Sequence, residues 1–195
     1  AAAVLLCQLA EQTGRPVPRI AVLERQPRVG KKLLATGNGT CNITNLAAGD
    51  PLAHERYYHS NGGDRHFPAA ALSAFTPADT MAFFRSIGVY VTPRPDGRCY
   101  PISQQAGAVL DNLRLAINHY GVAELTDIAV AAILPQKPGF VLTTAADPLE
   151  AKQVIVAAGG AAAPNLGGGT SGYQLMTKLG HTRTPLYPSI VQVKA

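Results

Sequence analysis

Arg28-Val-Gly-Lys-Lys-Leu-Leu-Ala-Thr-Gly-Asn-Gly-Thr-Cys-Asn-Ile-Thr-Asn45 decides how this 195-residue chain is read. It follows an apolar run that ends in an acid, Ile20-Ala-Val-Leu-Glu24. A strand, an acid at its end and a loop rich in Gly, Asn and Lys form the arrangement with which α/β proteins hold a dinucleotide. The carboxylate accepts from ribose hydroxyls, while glycines let backbone N–H groups approach phosphate or a flat ring.

Upstream, the small apolar residues Ala1 to Ala10 predict a helix over 1–13. Gly14 and Pro16 break it before a strand over 18–24. In a Rossmann unit the G-x-G-x-x-G turn lies between the first strand and this helix, so Ala1 or Ala2 reads as the last position of that fingerprint. The expectation is a chain lacking its first strand, whose bare sheet edge would favour aggregation in isolation.

Composition narrows the class. A hydrophobic content of 47% suits one domain with a buried core. No apolar run reaches the roughly 18 residues of a membrane span, and Ala1 to Ala10 carries no basic leader. Cys7, Cys41 and Cys99 are odd in number and far apart, which fits neither a disulfide framework nor a C-x-x-C metal site. A reducing cytoplasm is the expected home, with no metal and no membrane partner. The net charge of +5 is dispersed apart from Lys31-Lys32, and no nucleic-acid signature accompanies it. A dinucleotide with two phosphates is a sufficient anionic partner.

Along the chain, Asn45 to Arg65 is polar and turn-rich and reads as a loop over the site. Thr76 is a candidate N-cap for a helix over 77–87, with Pro77 at its first position and Gly88 closing it. A β-prone piece spans 89–92. The stretch from Gly97 reads as a loop that becomes a helix after Ser103, its stripe formed by Val109, Leu110, Leu113 and Ile117. Alternation over 122–133 and 140–144, with breakers at 135–139 between, predicts antiparallel strands. The continuous apolar run Gln153 to Ala158 before Gly159-Gly160 suits a parallel strand buried on both faces.

Val22-Leu23-Glu24, the run from Gly30 to Gly39 with Cys41 to Asn45, Gly97 to Leu110, Val154 to Gly160 and Gly172-Tyr173 with Gly180-His181 together resemble one flavoprotein family. It is the aminoacetone-oxidase-like, NAD(P)/FAD-dependent oxidoreductase family, also called BaiN/YhiN-type, and the resemblance covers essentially the whole chain. It implies an α/β, Rossmann-like FAD-binding domain of the glutathione-reductase class, three-layered, with a parallel sheet and a small antiparallel β-meander. Residues 1–187 would be part of that domain and 188–195 the start of a crossing into an inserted domain.

The resemblance places Glu24 at the adenosine ribose and Lys31 and Lys32 near the pyrophosphate, with Arg25 and Leu33 also among the cofactor-binding residues. Thr36, Gly37, Asn38, Gly39, Cys41 and Asn42 would line the ribityl and ring side. Val130 would offer adenine a backbone contact, and Ala157, Ala158, Gly159 and Gly160 form a second turn against FAD. By that resemblance Thr40 stands where members commonly carry Arg, Ala158 replaces the commoner Thr, and Thr170 interrupts a glycine-containing run. The implied activity is flavin-mediated hydride or electron transfer between a small organic substrate and NAD(P)H or oxygen.

Each motif has a plainer reading. Glu24 and the lysines could be solvated surface, and Gly159-Gly160 an ordinary turn. Cys41 has no second cysteine at short spacing for disulfide redox chemistry. His181 reads as structural, because no nucleophile or carboxylate accompanies it. Tyr100 and Tyr173 fit either the ring system or the core. No catalytic acid or base is identified. Two other functions fit the same motifs: a non-catalytic nucleotide-binding module and a tRNA-modifying flavoprotein, the latter without a basic patch to support it.

Overall fold

The computed structural model describes residues 1–58 and 66–187. In chain order the elements are α1 (Ala2–Gln12), β1 (Ala21–Leu23), β2 (Thr44–Asn45), α2 (Pro51–Tyr57), α3 (Ala69–Ala74), α4 (Pro77–Ser86), β3 (Val91–Pro93), β4 (Arg98–Pro101), α5 (Ala106–His119), β5 (Ala123–Leu125), β6 (Ala132–Gln136), β7 (Gly139–Thr143), β8 (Leu149–Ala151) and α6 (Ser171–Lys178). The chain divides into one unit of Ala1–Ile20 with Leu33–Ala123 and a second of Ala21–Lys32 with Glu124–Ala195. The expected crossing at 188–195 lies outside the described residues.

In the first unit, α1 packs on α5. The helical period puts Val4, Cys7 and Ala10 on the buried face of one and Val109, Leu113 and Ile117 on that of the other. Gln8 donates to the Ser86 hydroxyl at 2.8 Å, and the Tyr120 hydroxyl donates to Glu11 at 3.0 Å. Helix α4 begins with a reciprocal cap: the Thr76 hydroxyl accepts from the Asp79 N–H, and the Asp79 carboxylate accepts from the Thr76 N–H at 2.8 Å. Gly88 follows the helix in the left-handed region, as expected.

Strand β4 is the centre of an antiparallel sheet in the order β2-β4-β3, and it buries Cys99, Tyr100 and Pro101. Three expectations are corrected here. The stretch beginning at Gly97 is a central strand and not a loop, because pairing on both edges outweighs its mixed composition. Helix α5 starts at Ala106 with Gln105 at its N-cap, while the Ser103 hydroxyl accepts from the Gln105 N–H. The expected loop of 45–65 contains α2, nucleated by Asp50 accepting from the Leu52 N–H with Pro51 at the first position. The rest of that stretch, 59–65, lies outside the described residues.

In the second unit β1 pairs with β5. The Glu24 N–H donates to Leu125 O at 2.9 Å within that unit, and just before the strands enter it the Ala123 N–H donates to Ile20 O at 3.0 Å, so partner positions rise together along both strands and the pair is parallel. Strands β6, β7 and β8 form an antiparallel meander. Its buried Ile133 and Leu142 join Leu175 of α6 in a core also lined by Leu23, Val154 and Val156. The run expected as one strand over 122–133 is therefore two, one parallel to β1 and one in the meander.

The segment 153–158 is also corrected. It forms no strand, and Ile155 is 64% exposed while Val154 and Val156 pack inward. One face is covered, not both. The glycine-rich loop beyond it is tight: a Cβ on Gly168 would collide with the Ala162 carbonyl oxygen.

Replacing Thr76 with Ala is expected to lower unfolding free energy by about 1 kcal/mol in urea denaturation. The Thr76 hydroxyl and N–H hold the Asp79 carboxyl below the usual aspartate range. The box's contribution is thus present above the unfolded pKa and fades as pH falls through the folded one, so the penalty should shrink in strong acid. Gly168→Ala should raise hydrogen exchange across 159–169 and lower the melting temperature; unchanged exchange would contradict the tight packing.

Candidate functional site

In the second unit, the end of β1 is fixed by its backbone. Glu24 donates to Leu125 O and accepts from the Ile128 N–H at 3.0 Å. One oxygen of its half-buried carboxylate accepts from the Gln26 N–H at 2.9 Å, and the other carries no hydrogen bond among the described residues. That free oxygen is available to a hydroxyl donor.

Two cations from the following loop reach the glycine-rich loop of the same unit. The Arg25 guanidinium donates to Gly167 O. The Lys32 ammonium donates to Gly160 O at 3.2 Å, and that carbonyl also accepts from the Gly169 N–H at 3.0 Å. An ammonium has three N–H groups, so Lys32 keeps donors for an anion. Between residues 24 and 32 the cations Arg25, Arg28, Lys31 and Lys32 outnumber Glu24, and Asp127 lies close by through its N–H on Gln26 O at 3.2 Å. Lys31 is half-buried and makes no hydrogen bond among the described residues.

Gly159 (φ +75), Ala163 (φ +53) and Gly167 (φ +93) take left-handed conformations in this loop. Ala157 and Ala158 are exposed. The Ala158 methyl lies 3.0 Å from where Gly172 would carry a Cβ, so alanine in place of threonine keeps bulk away from the start of α6. Tyr173 points its hydroxyl to within 3.0 Å of the corresponding position on Gly160, beneath the Arg183 guanidinium at 5.9 Å from the ring centre. Val130 packs against the core cluster. An apolar recess of about 280 Å³ is lined by Ile133, Phe140, Val156, Met176 and His181 among others, but by none of the candidate cofactor residues.

In the first unit, a half-buried Leu33 opens a 3-10 turn that reverses sharply at Gly37 (φ +55), Asn38 (φ +56) and Gly39 (φ +86). The reversal is closed by the Cys41 N–H on Thr36 O at 3.0 Å and the Thr40 N–H on Gly37 O at 3.1 Å. The Thr36 hydroxyl donates to Leu33 O, and the Thr40 hydroxyl to Gly37 O. Thr40 therefore serves as a local clasp. A Cβ on Gly37 would stand 2.8 Å from the Asn42 backbone nitrogen, so only glycine fits. The Asn42 amide, oriented to donate, reaches Thr44 O at 2.9 Å and Cys99 O at 3.2 Å. Thr36 to Gly39 and Asn42 are exposed, whereas Cys41 is buried.

Burial pushes the Cys99 and Cys7 thiols up, away from thiolate character. Among the described residues, no group of His, Cys, Asp and Glu is placed to hold a metal ion, and no helix is long and apolar enough to cross a membrane. The structure thus joins Lys32 to Gly160 and gathers Gly37, Cys41 and Asn42 into one turn. The tie from Arg25 to Gly167 escaped the sequence; the triple glycine at 167–169 was its visible signal.

Among curated proteins, the chain is similar to a 3-dehydro-bile acid delta(4,6)-reductase of Clostridium scindens, 37% identical over 90% of this chain and 41% of the relative. Ribosomal RNA dihydrouridine synthases of Haemophilus influenzae and Escherichia coli are 28% and 26% identical, over 97% and 98% of this chain and 46% and 45% of theirs. The chain thus spans less than half the length of these relatives. Residues 1–189 match the HI0933-like protein Rossmann domain, which meets the flavoprotein resemblance read from the motifs. A match of that extent, over a chain whose first strand pairs in parallel and ends in an acid, makes this protein a member of the HI0933-like Rossmann domain family.

Proposed function

We propose that residues 1–187 are the FAD-binding part of an FAD-dependent oxidoreductase acting on a small organic substrate in the cytoplasm. The observation that carries this reading is the end of β1, where Glu24 keeps a free carboxylate oxygen and Lys32, on Gly160, keeps free donors. These groups fit the ribose and pyrophosphate of a dinucleotide, as electropositive turns with left-handed glycines suit phosphate oxygens.

In this assignment Glu24 accepts from the adenosine ribose, with Arg25 beside it, and Lys31, Lys32 and Leu33 border the pyrophosphate. Thr36 to Gly39 and Asn42 are exposed toward the ring side, with the buried Cys41 behind them. Val130 offers its backbone to adenine, and Ala157 to Gly160 form the second turn. The bound flavin supplies the capacity to accept and donate a hydride or single electrons. The chain's residues bind it, orient it and hold negative charge near backbone N–H groups. The name of the Clostridium scindens relative supports a reductive direction, and we take NAD(P)H as the electron donor from the family resemblance.

A second reading has its own support. Two relatives named ribosomal RNA dihydrouridine synthases favour an RNA substrate for the same flavin site. Binding of ribosomal RNA that weakens steeply with salt would select it, because phosphate contacts release counterions.

Full-length protein is expected to show flavin absorption bands that bleach on anaerobic addition of NADH or NADPH. A colourless protein that takes up no flavin would overturn the reading; bands that persist with every donor would favour a binding module. Lys32→Gln should weaken FAD binding roughly tenfold in a fluorescence titration, about the effect of one lost hydrogen bond to a charged group.

A further inference from the structure

Tyr100 in β4 is 4% exposed, yet it is more than core filling. Its Cε1 edge lies 3.3 Å from the position a Cβ would take on Gly37, so the ring abuts the left-handed turn directly. The Arg94 guanidinium sits over the same ring, 4.0 Å from its centre. Arg94 is itself exposed but fixed at both ends. Its N–H donates to Arg98 O at 2.8 Å, and its guanidinium donates to the Gln104 side-chain oxygen at 2.6 Å. Gln104 is held in turn, its side chain donating to Pro101 O at 3.0 Å and its N–H to the same oxygen at 2.9 Å.

The result is a bracket running from Gln104 through Arg94 and Tyr100 to Gly37, all within the first unit. The turn is backbone-rich and exposed at Thr36 to Gly39; local hydrogen bonds close it, Asn42 ties its end to Cys99 O and α5 packs on its other side, while the bracket fills the face at Gly37. Such a turn keeps its shape only while something rigid lies against it.

We propose that Tyr100 and Arg94 are positioning residues for the Gly37–Asn42 turn: Tyr100 sets where the turn lies against β4, Arg94 locks the Tyr100 ring, and the pair governs how the turn meets the flavin ring. This inference rests on the FAD assignment. Neither residue touches substrate in it, and both act through backbone placement.

The test uses full-length protein and reads FAD affinity, the visible circular dichroism of bound flavin and the melting temperature. Arg94→Ala should weaken FAD about two- to fivefold, as expected for loss of an exposed cation–π contact, and alter the flavin dichroism. Arg94→Lys, which keeps a cation over the ring, should recover most of both. Tyr100→Phe should stay near wild type, while Tyr100→Leu should lose more than Arg94→Ala. Thr76→Ala, which lowers stability in α4, should leave affinity and dichroism unchanged. Flavin-bound wild type with Arg94→Ala indistinguishable from it would overturn this inference alone, as would an equal dichroism change in Thr76→Ala. Wild type without flavin would overturn the FAD assignment and this inference with it.

Discussion

The backbone of Glu24 is the constraint on which the candidate site depends. Its N–H is taken by Leu125 and its carbonyl by Ile128, so the residue is fixed at the end of the parallel pair. Its carboxylate is then drawn to the next turn through Gln26, and the chain leaves the strand with Arg25 and Lys32 directed at the glycine-rich loop. A shift of the pairing by one residue would turn alternate side chains to opposite faces and separate the acid from the cations.

Both candidate turns use backbone geometry that ordinary residues avoid. Glycine adopts it freely at Gly37, Gly39, Gly159 and Gly167, but Asn38, Cys41 and Ala163 adopt it with a side chain present. A non-glycine residue held this way costs roughly 1–2 kcal/mol and survives only where its surroundings over-determine it. Here those surroundings are named: the paired N–H groups of Thr40 and Cys41 in one unit, and the ties from Lys32 and Arg25 in the other. In the first turn, strain and support coincide at Asn38 and Cys41, both assigned to cofactor.

Much of this was legible in the sequence, and the failures have a common cause. Thr76, Pro77 and Asp79 carry their cap within four positions, and the breakers at 135–139 mark the hairpin between β6 and β7, so local chemistry sufficed. Alternation over 122–133 could not reveal that 123–125 pairs with β1, because a period identifies a strand without naming its partner. The apolar run at 153–158 concealed one-sided burial for the same reason. At the site, Glu24, Lys32 and Gly37 were visible from residue type and order. Arg94 and Gln104 were not, since their grip on Tyr100 arises only when a turn brings them onto one ring.

The most direct test of the central claim is mass spectrometry of the ligand released by heat from full-length protein. The account predicts FAD in near-equal amount to protein, because Glu24 is assigned to an adenosine ribose that only the dinucleotide carries. Release of FMN, or of no flavin even after incubation with FAD, would contradict it.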